Sequence, residues 1–171
     1  MNIQWFERIL LRDLESVKAE LAAFPDDASV WATPPGIGNS AGTLALHLAG
    51  NIQHFIGAKL GGSPYVRNRE YEFSARGIAR AELAADLERA IAAVRETLGG
   101  GHAIDLDATF PELVGGKFRV VNGDWLIHLA THLAFHLGQI GYLRRITTGG
   151  ESINATGGIG SLATAVKVPG A

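Results

Sequence analysis

Three of the chain's six histidines fall in "HLATHLAFHLGQIGYLRR", at His128, His132 and His136, each four residues from the next inside an apolar segment. On a helix each residue turns by about 100° and rises about 1.5 Å, so neighbours in this stripe lie within about 40° of each other, one turn apart. Two adjacent imidazoles can then aim at one ion, the geometry of His-x-x-x-His zinc sites. The outer pair is separated by about 12 Å and cannot share a small ion. The stripe therefore offers two ligands, either His128 with His132 or His132 with His136. A third must come from elsewhere, and "AGTLALHLAGNIQHFIGAKL" supplies His47 and His54. These are about 10.5 Å apart along a helix, so only one can join a given ion. A three-histidine site leaves a position open for water or a substrate group.

The plainer alternative is a set of hydrogen-bonded core histidines. Burying neutral imidazoles is costly, because each has a donor and an acceptor to satisfy. A metal would answer that cost for three of them. Gln139 lies on the ligand stripe one turn past His136. It could hydrogen-bond a ligating imidazole or make a polar contact between helices. Asn51, one turn after His47, could touch the site or form a buried amide hydrogen bond. His102, among glycines, reads as solvated. Arg67, Arg69, Arg76 and Arg80 could clamp a carboxylate ligand or form a solvated loop. Arg144 and Arg145 suit a helix C-terminus, and Trp5, Trp31 and Trp125 suit a core or pocket wall. No Ser-His-Asp arrangement, phosphate-binding glycine loop or paired catalytic carboxylate stands out, and no residue declares itself a general base.

Four amphipathic helices must position these groups. The apolar spacing predicts helices over residues 3–24, 41–60, 80–98 and 123–147. Asn39 or Ser40 caps the second, and Gly61-Gly62 and Gly99-Gly100-Gly101 end the second and third. The second is apolar on most of its circumference and should be buried on several sides. Gly50, Gly57, Gly138 and Gly141 inside helices suggest close packing, with the second and fourth helices apposed. Residues 25–40 and 63–80 read as loops. The stretch around Gly115-Gly116 reads as a short hairpin or a long loop. These elements make an all-α four-helix bundle over residues 1–148, whose long connections argue against a plain up-down-up-down series. A glycine-rich tail over 149–171 is expected to be irregular, within the same domain or loosely attached.

The bulk properties fit. A chain of 171 residues with 47% hydrophobic content can build one core. A formal charge of −2 offers no basic footprint for nucleic acid or anionic lipid. The absence of cysteine removes disulfides, thiolate metal sites and a cysteine nucleophile. No apolar run approaches the ~18 residues of a membrane span, and the first dozen residues carry charges rather than a signal-peptide block. A soluble cytoplasmic protein is the expectation.

"THLAFHLGQIGYLRR" resembles the fourth-helix signature of the DinB-like superfamily of four-helix-bundle metalloproteins: histidine, three residues, histidine, one residue, Gly-Gln. "GNSAGTLALHLAGN" resembles its second-helix signature. The resemblance spans residues 3–147 as an order of helices, while the specific motifs cover about thirty residues. It implies that His47, His132 and His136 bind a divalent ion, zinc or nickel, and that His128 is a core or supporting residue. It further implies a low-molecular-weight thiol as cosubstrate, a small-molecule substrate and a homodimer. Leu137 stands where many relatives have Arg, and the glycine-rich tail has no clear counterpart. The function expected is a metal-dependent thiol S-transferase or hydrolase. The competing expectation is a non-catalytic bundle with a structural metal or a dimerisation role.

Overall fold

The computed structural model describes residues 2–100 and 103–153, and in the C-terminal segment residues 158, 160, 162 and 164–168. His102 lies outside the described residues, as does much of the glycine-rich tail.

Helix α1 spans Ile3–Ala22 and opens on Asn2, whose Oδ1 accepts from the Gln4 amide at 2.9 Å. Phe6, Leu10, Leu14, Val17 and Leu21 form its buried face. Trp5 turns out to the surface, where it lines an open cleft of about 890 Å³ with Asp105, Asp107 and Asp124. The following loop contains a single short helix, α2 (Asp27–Val30), because Asp26 caps it by accepting from the Ser29 amide.

Helix α3 spans Ala41–Ile52, capped by Ser40 Oγ on the Thr43 amide, and all twelve of its residues are buried. From Gln53 to Leu60 it continues with π-helical hydrogen bonding. The segment ends where the Gly61 amide donates to the Ile56 carbonyl. The helix thus has the expected extent, but its second half has a wider register.

The connection after it is not simply a loop. Helix α4 (Arg69–Ser74) forms there, with Asn68 Oδ1 accepting from the Tyr71 amide at 2.9 Å. Helix α5 (Arg80–Leu98) buries Leu83, Leu87, Ile91, Val94 and Leu98, the stripe expected from spacing. Helix α6 spans Asn122–Thr148, and Gly149 closes it in the left-handed conformation, with φ 69°. Between α5 and α6, antiparallel bridges pair Thr109 with Val121 and Val114 with Phe118 around Gly115-Gly116. This is the small hairpin rather than a bare loop. The described residues form no longer strand, so the fold is all-α.

Helix α1 packs on α5 and α6, and α3 packs on the other sides of the same two helices. Going round the bundle the order is α1, α5, α3, α6, so α1 and α3 lie diagonally, as do α5 and α6. The connections from α1 to α3 and from α5 to α6 cross those diagonals, while that from α3 to α5 joins neighbours, which rules out a plain hairpin series. Leucines and isoleucines from all four helices meet in one core, each contributing roughly 1.5–3 kcal/mol by burial.

The helical glycines serve different neighbours from those expected. A Cβ at Gly50 would overlap Glu72 Oε1, and one at Gly57 would press on Ala93 of α5. A Cβ at Gly141 would lie 3.2 Å from Glu20 Oε1 of α1. Gly138 faces open space. The α3–α6 seam is instead made by side chains, chiefly aromatic rings and imidazoles.

Candidate metal centre

Helices α3 and α6 run antiparallel across the seam. His47 of α3 meets His132 and His136 of α6, and Phe55, eight residues later, meets Trp125, seven before His132. His132 Nε2 lies 3.3 Å from His47 Nε2 and 3.1 Å from His136 Nε2. One ligand atom from each of the three histidines falls within 4.8 Å of the others. Two nitrogens bound to one zinc at tetrahedral angles would sit about 3.3–3.4 Å apart. The two spacings from His132 match that separation.

The tautomers follow from the outer hydrogen bonds. His47 Nδ1 lies 3.0 Å from Glu72 Oε2, which only accepts, and 3.2 Å from Arg67 Nη2, which only donates; the Glu72 contact is the shorter and Nη2 is already bound to Glu72 at 2.7 Å, so the proton is assigned to Nδ1. His136 Nδ1 lies 2.6 Å from Gln139 Oε1, an amide acceptor, with the same consequence. Both rings thus turn a bare Nε2 lone pair toward His132. Without an ion, His132 Nε2–H can donate to one of these lone pairs; an ion between the rings would make all three nitrogens ligands.

Glu72 is a functional neighbour that the sequence did not reveal. It sits on α4, accepts two hydrogen bonds of 2.7 Å from Arg67 and is 3% exposed. Burial raises its pKa most strongly, but the hydrogen bonds from Arg67 and His47 outweigh that and hold it below the ordinary value. Gly50 makes room for it. Nothing in "RNREYEF" distinguishes Glu72 from Glu70; only the turn of α4 does.

Burial, reinforced by repulsion from His136, His47, His128 and Arg67, lowers the His132 pKa to about 4. His136 is lowered too, by burial and by His47, against an opposing hydrogen bond from Gln139. Both rings are neutral at pH 7, the form that binds a metal.

The remaining residues sort plainly. His128 stacks on Trp125, with ring centroids 4.7 Å apart and planes 14° from parallel, and lies over His132 on its other side. It does not join the ligand-distance group. His54 also stays out: its Nε2 lies 3.2 Å from Glu112 Oε2, which also pairs with Lys59. Its rise of about 10.5 Å along the helix from His47 keeps it from the cluster. The wider π-helical turns advance the seam position by one residue, so Phe55 rather than His54 faces α6. Gln139 takes the imidazole-bonding role rather than an interhelical one. Asn51 is buried, and its Oδ1 meets no hydrogen-bond partner; the same holds for His132 Nδ1 and Trp125 Nε1. The arginines are engaged within the chain rather than poised as a clamp. Arg67 holds Glu72, Arg69 covers the Phe73 ring, Arg76 bonds the Phe73 and Ala75 carbonyls, and Arg80 pairs with Asp27. Arg144 is buried against Glu20 of α1 at 2.6 Å, an inter-helix tie rather than a free dipole partner. Leu137 is a core residue.

The chain is an all-α bundle whose second and fourth long helices bring three histidines within ligand distance of one another. The DinB superfamily profile matches residues 10–140, and the chain belongs to that superfamily. No curated protein and no solved structure matched the chain.

Proposed function

We propose that this chain binds a divalent metal ion, zinc or nickel, through the Nε2 atoms of His47, His132 and His136, and uses it to act on small molecules. The observation that carries the reading is the convergence of three Nε2 atoms, two of them held as lone pairs by Glu72 and Gln139. An ion there would supply Lewis acidity toward a thiol or water in the position that three ligands leave open. The chain's own part is to keep the imidazoles neutral and aimed, with Arg67 fixing the carboxylate that orients His47. Phe73, against the His47 ring, and Trp125, at the far end of the seam, limit water around the cluster. The activity proposed is transfer of a low-molecular-weight thiol onto an electrophile, or hydrolysis.

A second reading is a non-catalytic bundle in which the ion staples α3 to α6 or the surface serves assembly. Ile127, Phe135, Tyr142 and Ile146 are all exposed along one side of α6, which favours a homodimer in either case. We further propose residues 1–148 as the bundle, with 149–171 as a tail of the same domain; the Arg144 hydrogen bond to the Glu151 carbonyl supports its attachment. No helix of the described residues is long and apolar enough to cross a membrane. With a charge of −2, neither nucleic acid nor membrane is proposed as a partner, and the location proposed is the cytoplasm.

Elemental analysis of untagged protein tests the site. About one divalent ion per chain in wild type, lost in folded His132→Ala, supports it and justifies a thiol-transfer screen. No uptake by folded wild type after incubation with zinc or nickel overturns it.

A further inference from the structure

Two of the three histidines have an orienting partner on Nδ1, and His132 has none. His132 Nδ1 is buried with no hydrogen-bond partner. A buried ring nitrogen without a partner is rare and calls for an explanation. Asn51 Oδ1 is an acceptor in the same condition, on a side chain of a residue only 7% exposed.

The seam places the two residues at neighbouring levels. Asn51 follows His47 by one helical turn, and His47 faces His132 at 3.3 Å. Phe55, one turn further on, faces Trp125. Asn51 therefore lies between two cross-seam contacts, level with the turn of α6 that runs from His128 to His132. Asn122, whose Oδ1 is also unpartnered, is tied through its Nδ2 to the Asp105 carbonyl near the start of α6, far along the helix from His132.

We propose that Asn51 is the positioning residue for His132, its Oδ1 accepting a hydrogen bond from His132 Nδ1–H when the site is loaded. The inference rests on the three-histidine reading above. Coordination through Nε2 leaves the ring proton on Nδ1 and makes it a stronger donor, so an acceptor there gains value with metal bound. The terminal amide torsion of Asn is soft, so a turn of the side chain brings its oxygen to the ring. The site then has a complete outer ring: Glu72 for His47, Gln139 for His136 and Asn51 for His132. Each fixes the proton on Nδ1 and the lone pair on Nε2.

The test compares zinc affinity, by chelator competition, in full-length wild type, Asn51→Leu and Asn51→Asp. It is paired with nitrogen-edited NMR of the imidazole and indole N–H groups in the zinc-loaded proteins. Asn51→Leu keeps the volume and removes the acceptor; it should bind zinc about 10–100-fold more weakly. The His132 Nδ1–H resonance, downfield in wild type, should move upfield in that variant. Asn51→Asp, which retains an acceptor, should keep both affinity and shift. Unchanged affinity and an unmoved His132 resonance in folded Asn51→Leu overturn the proposal. So does a change confined to the Trp125 indole N–H, which would make Trp125 the donor to Asn51. If Asn51→Leu does not fold, the wild-type spectrum decides, and a His132 Nδ1–H without the downfield displacement is fatal. Wild type that takes up no zinc defeats the metal reading itself, a result separable from failure of Asn51 alone.

Discussion

His47 and His54 lie seven residues apart on one continuous helical segment, and each is paired with a glutamate that is itself paired with a cation. His47 has Glu72 and Arg67; His54 has Glu112 and Lys59. The chemistry of the two trios is nearly the same. Their settings differ. The Glu72 side chain is 5% exposed and held by a two-pronged guanidinium, whereas that of Glu112 is 33% exposed and held by an ammonium of which 36% is open to solvent. The nitrogen used also differs. Glu72 takes His47 Nδ1 and frees Nε2 for the seam, while Glu112 takes His54 Nε2. Of the two histidine–carboxylate pairs, only the buried one leaves a ring nitrogen facing other imidazoles.

The largest test of that contrast is removal of each ring. His47→Ala is expected to abolish stoichiometric metal uptake, and His54→Ala to leave it intact, as read by metal content after gel filtration. Equal loss in both would erase the distinction.

Next come the carboxylates. Glu72→Ala strands the Arg67 guanidinium, whose side chain is 11% exposed. Breaking a buried pair costs about 3–5 kcal/mol. Glu112→Ala breaks a solvent-screened pair worth about 0–1 kcal/mol. Urea denaturation of the two apo variants measures the gap, and comparable midpoints would contradict the difference in setting.

A smaller change is expected from acid. The His132 pKa is about 4 in the fold, and an unfolded histidine titrates near about 6.5. As pH falls below about 6.5 the unfolded chain takes up a proton that the folded state refuses, so stability is lost down to about pH 4. Above about pH 7 this contribution is flat. His136, also lowered, acts in the same direction. Thermal melts of apo protein between pH 7.5 and 4.5 should show the decline, and His132→Gln should make it shallower. A wild-type profile no steeper than the variant's would refute the assignment.

The finest comparison uses two glycines of the paired helices. Gly50→Ala pushes on the buried Glu72 carboxylate and should destabilise by about 1–3 kcal/mol through overpacking. Gly138→Ala meets open space and should stabilise by up to about 1 kcal/mol through helix propensity. Calorimetric midpoints moving in opposite directions would bear this out.

Much of the frame was readable from periodicity. The apolar stripes of α1, α3, α5 and α6 recur at three and four residues, and the observed ends fall within two residues of those expected. The cap at Ser40 acts through local backbone groups, so sequence neighbours suffice to find it. Helix α4 escaped because six residues rich in charge carry no periodic stripe; Asn68 as cap was the only local signal. The role of Arg144 escaped because Glu20 lies 124 residues away. Axial distance already barred His54 from sharing an ion with His47; its pairing with Glu112, 58 residues away, was what the sequence could not show.

The sequence by itself determined the helices, the family and a choice among five histidines at helical spacing, because those follow from short-range geometry and motif. Only the tertiary structure decided which of them converge, and that Glu72 and Arg67 meet the outer nitrogen of His47, whereas Gln139 reaches His136 within one helical turn. Hydrogen bonds act over about 3 Å, and the partners of this site are 20, 25 and 85 residues apart along the chain. Such distances close only when the bundle packs.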